Sequence, residues 1–250
     1  MKVIKTGISI IVGLLVWELL VRWTRASEFF IVPPSAIVLE AITEWSTGKL
    51  QVSLLTSSYE IMLGLILAIF SGVLLGYLAG INKVIDLLLE PWVAVLNSMP
   101  IILLVPLMIA WFGLGMTPKV IIVYLSAVFP ILLNTRAGVQ AVNLDYVELA
   151  KSMMAGKMSI FTYIYLPGSL SYIVTGCRLG IGRGLVGVVT AELFGSVAGI
   201  GYMLKAGSER FETAQVFLAV ALLGILGVLN FASLGWLEGR LAPWRKAHTL

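Results

Sequence analysis

Long apolar runs separated by short polar segments dominate this chain. Residues 91–118 carry no charge, and neither do residues 213–237. Six uncharged or nearly uncharged runs stand out: 7–23, 59–81, 92–113, 119–135, 169–194 and 213–237. A helix needs about 20 apolar residues to cross a bilayer, so each run predicts a spanning helix. The run at 7–21 also has the look of a signal peptide. It lacks a small-residue cleavage site, and Arg22-Trp23 suits an interface anchor, so a retained first helix is expected. Between the first two runs, Pro33-Pro34-Ser35 precedes Ile37, Val38, Ala41, Ile42 and Trp45 at helical spacing. That pattern predicts an interfacial helix capped by Ser35, with Glu40 and Glu44 facing water.

Small residues recur every fourth position, as Gly72, Gly76 and Gly80 in one run and Gly176, Gly180 and Gly184 in another. Such stripes let helix backbones approach closely, and packing within one bundle is the expected use. Pro100, Pro106 and Pro130 fall inside spans, where they are expected to kink helices and free carbonyls.

Composition agrees with a lipid environment. Of 250 residues, 59% are hydrophobic and 12% charged, against about 25% charged in soluble domains; the mean hydropathy is +1.01. One cysteine, Cys177, and one histidine, His248, leave no disulfide, histidine catalyst or cysteine metal site. The net charge of +4 comes without a basic stripe, which excludes a nucleic-acid partner. With both termini placed in the cytoplasm, inner segments hold Lys2, Lys5, Lys83, Arg136, Lys151, Lys157, Arg240, Arg245 and Lys246. Outer segments then hold Arg22, Arg25, Lys49, Lys119, Lys205 and Arg210, a mild bias in the expected direction.

Residues 136–167 form the polar island that this topology puts in the cytoplasm. Asn143 can cap a short helix from Leu144 to about Ala155, closed by Gly156 in a left-handed C-cap. Asp145 and Glu148 lie near its positive end and Lys151 further on. Leu144, Val147, Ala150 and Met154 make an apolar face that needs a protein partner. A second short segment, 158–165, is expected to stop at Leu166-Pro167.

Here the order Glu148-Leu149-Ala150, Gly156, and Ile164-x-Leu166-Pro167 resembles the EAA loop of ABC importer permeases, E-A-A-x3-G-x-G followed by I-x-L-P. Leu149 stands where alanine is usual, and Met154 where the first glycine is usual. Pro33-Pro34-Ser35, Pro106-Leu107, Trp111-Phe112-Gly113-x-Gly115, Asn134-Thr135 and Ala191-Glu192 look like the nitrate/sulfonate/taurine branch. The resemblance covers roughly residues 30–245 and implies an all-α type I importer permease of about six spans. It implies one domain: 1–58 as first helix plus interfacial outer segment, and 59–240 as a five-helix unit with its coupling loop. Glu148, Ala150, Lys151, Gly156, Ile164, Leu166 and Pro167 would meet a separate ATPase, Glu148 by fixing the helix start or pairing with a basic group. The partners implied are ABC ATPase subunits, a second permease copy in a homodimer, an extracytoplasmic substrate-binding protein and the lipid bilayer, in the inner membrane.

No cofactor is expected on this chain. Its one Gly-Lys pair, Gly156-Lys157, lacks the rest of a P-loop, so ATP belongs to the partner. Ionisable groups inside a span are functional candidates, and Arg178, Arg183 and Glu192 share the fifth run. Asn97, Ser98 and Met99 before Pro100 are a second candidate group for the translocation path, with Glu192 taken as the one acid deep in a core span. Tyr202, Lys205 and Arg210 fall on the outer face, where a binding protein would dock. The branch suggests a small anion such as sulfonate, taurine, nitrate or bicarbonate. A thiamine precursor or other heterocycle is the alternative, and an ion-coupled secondary carrier is a more distant one.

Overall fold

The structure, a computed structural model, describes residues 2–24 and 30–241. Arg25, Arg245, Lys246 and His248 lie outside the described residues. The helices are α1 (Lys2–Thr24), α2 (Pro34–Ser46), α3 (Lys49–Ile81), α4 (Lys83–Ser98), α5 (Leu104–Phe112) and α6 (Met116–Gln140), then α7 (Leu144–Ser152), α8 (Lys157–Ile160), α9 (Leu166–Gly195), α10 (Ile200–Arg210) and α11 (Thr213–Leu241). Among the described residues there is no strand. Five helical stretches are long and apolar enough to cross a membrane, and a bent pair supplies a sixth.

That pair corrects the predicted span at 92–113. α4 ends at Ser98, a single turn of tighter helix covers Ile101–Leu103, and α5 follows at 84° to α4. Met99 and Pro100 are both extended, with ψ 130° and 113°. A residue before proline is pushed out of the helical region, which is why the break falls there. Pro106 and Pro130 do not interrupt their helices. Pro106 occupies the first turn of α5, where no intrahelical donor is required.

The predicted stop at Pro167 is also corrected. α8 runs through a π-helical turn, Phe161–Tyr165, directly into α9, and Pro167 sits in the first turn of α9. The widened turn absorbs the ladder bond that proline cannot make.

α6 is the central helix, with α3 on one side and α9 on the other. The glycine stripes make this possible. A Cβ on Gly72 would meet Ile131, one on Gly76 the Leu132 carbonyl, and one on Gly80 Val139, all on α6. From α9, Gly176 and Gly180 lie against Asn134 and Ile131 of the same helix. The stripes therefore serve packing within one bundle, as expected. Ile61, Ile122, Ile131, Val123 and Val188 fill the core at 1% exposure or less. At 33 residues, α3 is about 50 Å long, longer than the hydrocarbon layer it crosses.

α2 is present, with two corrections. Its N-cap is Pro33 with Pro34 in the first turn, and no side chain caps it. Ser35 instead binds Glu18 of α1, its backbone N–H donating at 3.0 Å and its hydroxyl at 2.8 Å. Glu44 faces the protein and is buried, whereas Val38, Ile42 and Trp45 are exposed. Ile37 and Ala41 pack on the core, so the helix uses the narrower face shared with Glu44.

Candidate functional site

Three constellations carry chemistry. The first is the polar connection between α6 and α9. Asn143 caps α7 as predicted, its Oδ1 accepting from the Asp145 N–H at 2.8 Å. α7 ends at Ser152, earlier than expected, and Gly156 is not the left-handed residue: its φ is −69° and it precedes α8. Met154 takes that role at φ 59°. The Ala155 N–H donates to Ala150 O and the Met154 N–H to Lys151 O, both at 2.9 Å. This paired closure is the Schellman motif, whose left-handed residue is usually glycine. The position where the resembled family has its first glycine is thus the one where backbone geometry asks for it. Met154→Val should weaken this closure by about 1 kcal/mol, since β-branched residues tolerate positive φ least. Faster hydrogen exchange at the Ala155 amide would register it, and unchanged exchange would count against it.

The face of α7 differs from expectation as well. Val147 is buried, but Leu144 and Met154 are exposed at 64% and 93%, with Tyr146, Leu149 and Met153 beside them. About two and a half turns of helix, apolar on more than one side, cannot tell the anchored side from the open one. A groove of about 590 Å³ lies between α7 and the start of α9 and includes Ala150, Ile164 and Pro167. Glu148, Lys151 and Gly156 are exposed outside it, and Leu166 is half-buried. Tyr77 of α3 packs edge-on to Phe161 at 4.7 Å and to Tyr165 at 5.9 Å, pinning this segment to the bundle. Arg136 and Asp86 form an ion pair at 2.8 Å across α6 and α4 at the same end.

The second constellation lies at the opposite end and was only partly foreseen. Glu192 is fully buried. Its Oε1 accepts from the Ser57 hydroxyl at 2.6 Å and its Oε2 from the Gly201 N–H at 2.6 Å. Ser57 Oγ accepts in turn from the Ile200 N–H at 2.8 Å. Two side chains from α9 and α3 thus supply the cap that α10 lacks locally, and a carboxylate suits a helix N-terminus. Gly199, at φ 118°, presses against the carboxylate and leaves no room for a Cβ. Beside it, Lys119 ion-pairs with Glu60, and its Nζ also donates to Ser196 Oγ at 3.1 Å. Lys119 is counted among the outer-segment cations and Glu192 as the one acid deep in a span; the structure buries Lys119 and sets a second buried acid, Glu60, beside it. Lys119 is 6% exposed and Glu60 1%. The available signal was the offset of Glu60 into the second apolar run and of Lys119 onto the start of the fourth.

Nearby, a cavity of about 410 Å³ is lined by Glu44, Lys49, Tyr202, Arg210 and Gln215 among others. Lys205 pairs with Glu209 at 3.8 Å. Burial, together with the carboxylates of Glu44 and Glu212, pushes Glu40 above the usual carboxylate range.

The third constellation sits at the α4–α5 break. Asn97, Met99 and Arg183 line one cavity of about 420 Å³ with Leu96, Ile102 and Phe129. Arg183 Nη1 donates to Asn97 Oδ1 at 2.8 Å. Ser98 is not among the lining residues; its hydroxyl donates to its own helix at Ala94 O and Val95 O. Arg178 is separate too, exposed and ion-paired to Glu238 of α11 at 2.7 Å.

Comparison with known proteins now places this architecture. Residues 72–246 match the family described as binding-protein-dependent transport system inner membrane component. The chain is 30% identical over 247 residues to the taurine transport system permease protein TauC of Escherichia coli (strain K12), covering 95% of this chain and 90% of that one. It is 30% identical to the formylaminopyrimidine transport permease protein ThiX of Halalkalibacterium halodurans, covering 93% and 92%. With the nitrate import permease protein NrtB of Leptolyngbya laminosa it shares 28% identity, covering 75% and 67%. In fold it is similar to a chain of the solved MetNI methionine ABC transporter, with TM-score 0.62, 17% identity, and coverage of 76% and 93%. The chain belongs to the binding-protein-dependent transport system inner membrane component family and is a transmembrane permease subunit of an ATP-driven importer, working with a separate ATPase and a substrate-binding protein.

Proposed function

We propose that this permease moves a small anion, of the kind named in its taurine and nitrate relatives, and that α7 is where the ATPase grips it. The carrying observation is the exposed α7. Its Glu148 carboxylate has no partner among the described residues, and it stands beside the apolar groove that holds Ala150, Ile164 and Pro167. An exposed acid next to an open apolar groove suits a partner surface that offers a basic group and an apolar knob. Lys151 and Gly156 flank that surface, and Leu166 supports it from the first turn of α9. The α7 end then faces the cytoplasm, and both termini with it.

A second copy completes the pathway as a homodimer. Exposed Ile102, Leu103, Leu107 and Trp111 on the α5 side give it an apolar surface next to the Asn97–Arg183 cavity. The binding protein docks at the α10 end, around Tyr202, Lys205 and Arg210. Glu192 serves this reading by holding α10 in place and not by touching substrate. A heterocyclic thiamine precursor is the second reading, favoured by the formylaminopyrimidine relative at equal identity.

Glu148→Lys tests the central claim. Co-purification of the ATPase with the permease should fall at least tenfold and uptake with it, while the amount of membrane-inserted permease stays the same. Unchanged co-purification and uptake would remove α7 from the coupling role.

A further inference from the structure

The cavity at the α4–α5 break contains a cation without a counter-ion. Three other basic side chains on the spanning helices are matched by acids: Lys119 by Glu60, Arg136 by Asp86 and Arg178 by Glu238. Arg183, halfway along α9, has no carboxylate within ion-pair distance among the described residues; its hydrogen bond goes to neutral Asn97. A guanidinium at membrane depth without an acid is costly unless its charge is answered by something that enters the cavity.

The hydrogen-bond inventory says what that must be. A guanidinium carries five N–H donors and no acceptor. Asn97 spends its Oδ1 on Arg183, which leaves the two N–H donors of its Nδ2. The hydroxyls of Ser126 and Thr190 in the same wall donate to their own helices, at Ile122 O and Val186 O. Arg183 and Asn97 therefore present the unused donors and the positive charge of the cavity, while the two hydroxyls, their protons spent, keep only acceptor lone pairs. The remaining wall is apolar: Leu96, Met99, Ile101, Ile102, Phe129 and Val186.

We propose that Arg183 and Asn97 form the anion-selecting site of the path, binding the oxyanion head of an organic anion while its apolar body lies against the surrounding wall. Arg183 supplies the charge. Asn97 orients the guanidinium through Oδ1 and adds an Nδ2 donor to the same head group. A sulfonate or carboxylate with a short aliphatic body fits this division between one charged corner and an apolar wall; a bare inorganic oxyanion leaves the wall unused. The proposal rests on reading this cavity as part of the translocation path.

The test uses the purified complete importer, with radiolabelled 1-butanesulfonate as probe and equilibrium dialysis as readout. The complex should bind the probe, with nitrate at least fivefold weaker in competition and butyl methyl sulfone, an uncharged analogue, failing to compete. Arg183→Gln should weaken binding at least tenfold, and Arg183→Lys less. Asn97→Asp is the sharper variant: it keeps the shape but puts a carboxylate on Arg183, and should also cost at least tenfold. ATPase co-purification should survive in all three. No probe binding, equal competition by the sulfone, or wild-type affinity in Asn97→Asp would each overturn the site, and nitrate binding as tightly as the probe would overturn the organic-anion assignment. Loss of ATPase co-purification in Asn97→Asp would make the pair structural and overturn it as well. None of these outcomes touches the Glu148→Lys result, so a failed anion site and a failed coupling surface are told apart.

Discussion

Lys119→Met should destabilise the detergent-solubilised protein by about 3–5 kcal/mol, because it strands the Glu60 carboxylate in a site 1% exposed to solvent. The loss is large because the cation is the ion partner that Glu60 has among the described residues. The same change removes the donor to Ser196 Oγ at the α9–α10 connection. With about 2–4 °C per kcal/mol for a chain of this size, the midpoint of thermal unfolding should fall by about 10 °C. The double variant Glu60→Gln, Lys119→Met removes both charges and should recover most of the loss. A midpoint for Lys119→Met within about 2 °C of wild type would mean that the carboxylate is answered by another group. Glu192→Ala is the companion change, since it leaves the Ser57 hydroxyl and the Gly201 N–H without their acceptor.

Gly76→Val should be the most damaging single substitution on the α3–α6 contact. A Cβ at Gly76 would lie 2.6 Å from the Leu132 carbonyl oxygen and 2.7 Å from Thr135 Cβ, and the nearest of these is backbone that no rotamer can move. The helices must separate along the seam that Gly72 and Gly80 continue. Overpacking of this kind costs about 1–3 kcal/mol where side chains can adjust, and more where backbone must shift. Folded yield and the unfolding midpoint both report it. Gly224→Ala on α11 is the matched control. A Cβ there meets nothing within 4 Å, and alanine is the better helix former by about 1 kcal/mol, so the midpoint should hold or rise. If Gly76→Val behaved like Gly224→Ala, the close approach of α3 and α6 would be wrong.

These two sites mark how far the sequence could be read. The apolar runs, the glycine stripes and the Asn143 cap were legible because each depends on residues within a few turns of one another. The Glu148-to-Pro167 spacing was legible for the same reason, and it carried the family resemblance. What went unread involved partners far apart in the chain: Ser57 meets Glu192 across 135 positions. Lys119 looked like an ordinary loop cation because nothing local names Glu60 as its partner. Two local misreadings had another cause. Gly156 was the obvious left-handed residue, yet α7 stops early enough that Met154 fills that position. The kink expected at Pro100 is there, but its size was not legible, since hydropathy cannot separate a slightly kinked span from one bent 84° at Met99-Pro100.

The order and apolar length of the amino acids by themselves determined that this chain crosses a membrane as helices, with one polar connection kept outside. That follows because lipid tolerates no unpaired backbone polar group and admits few charges. The tertiary structure alone decided which charges are answered and which is left open. It paired Lys119 with Glu60 and gave Glu192 to the N-terminus of α10, and it left Arg183 facing a cavity with Asn97. Coulomb and hydrogen-bond partners are set by distance in space, and only packing α3, α6 and α9 around shared glycine seams brings those distances about.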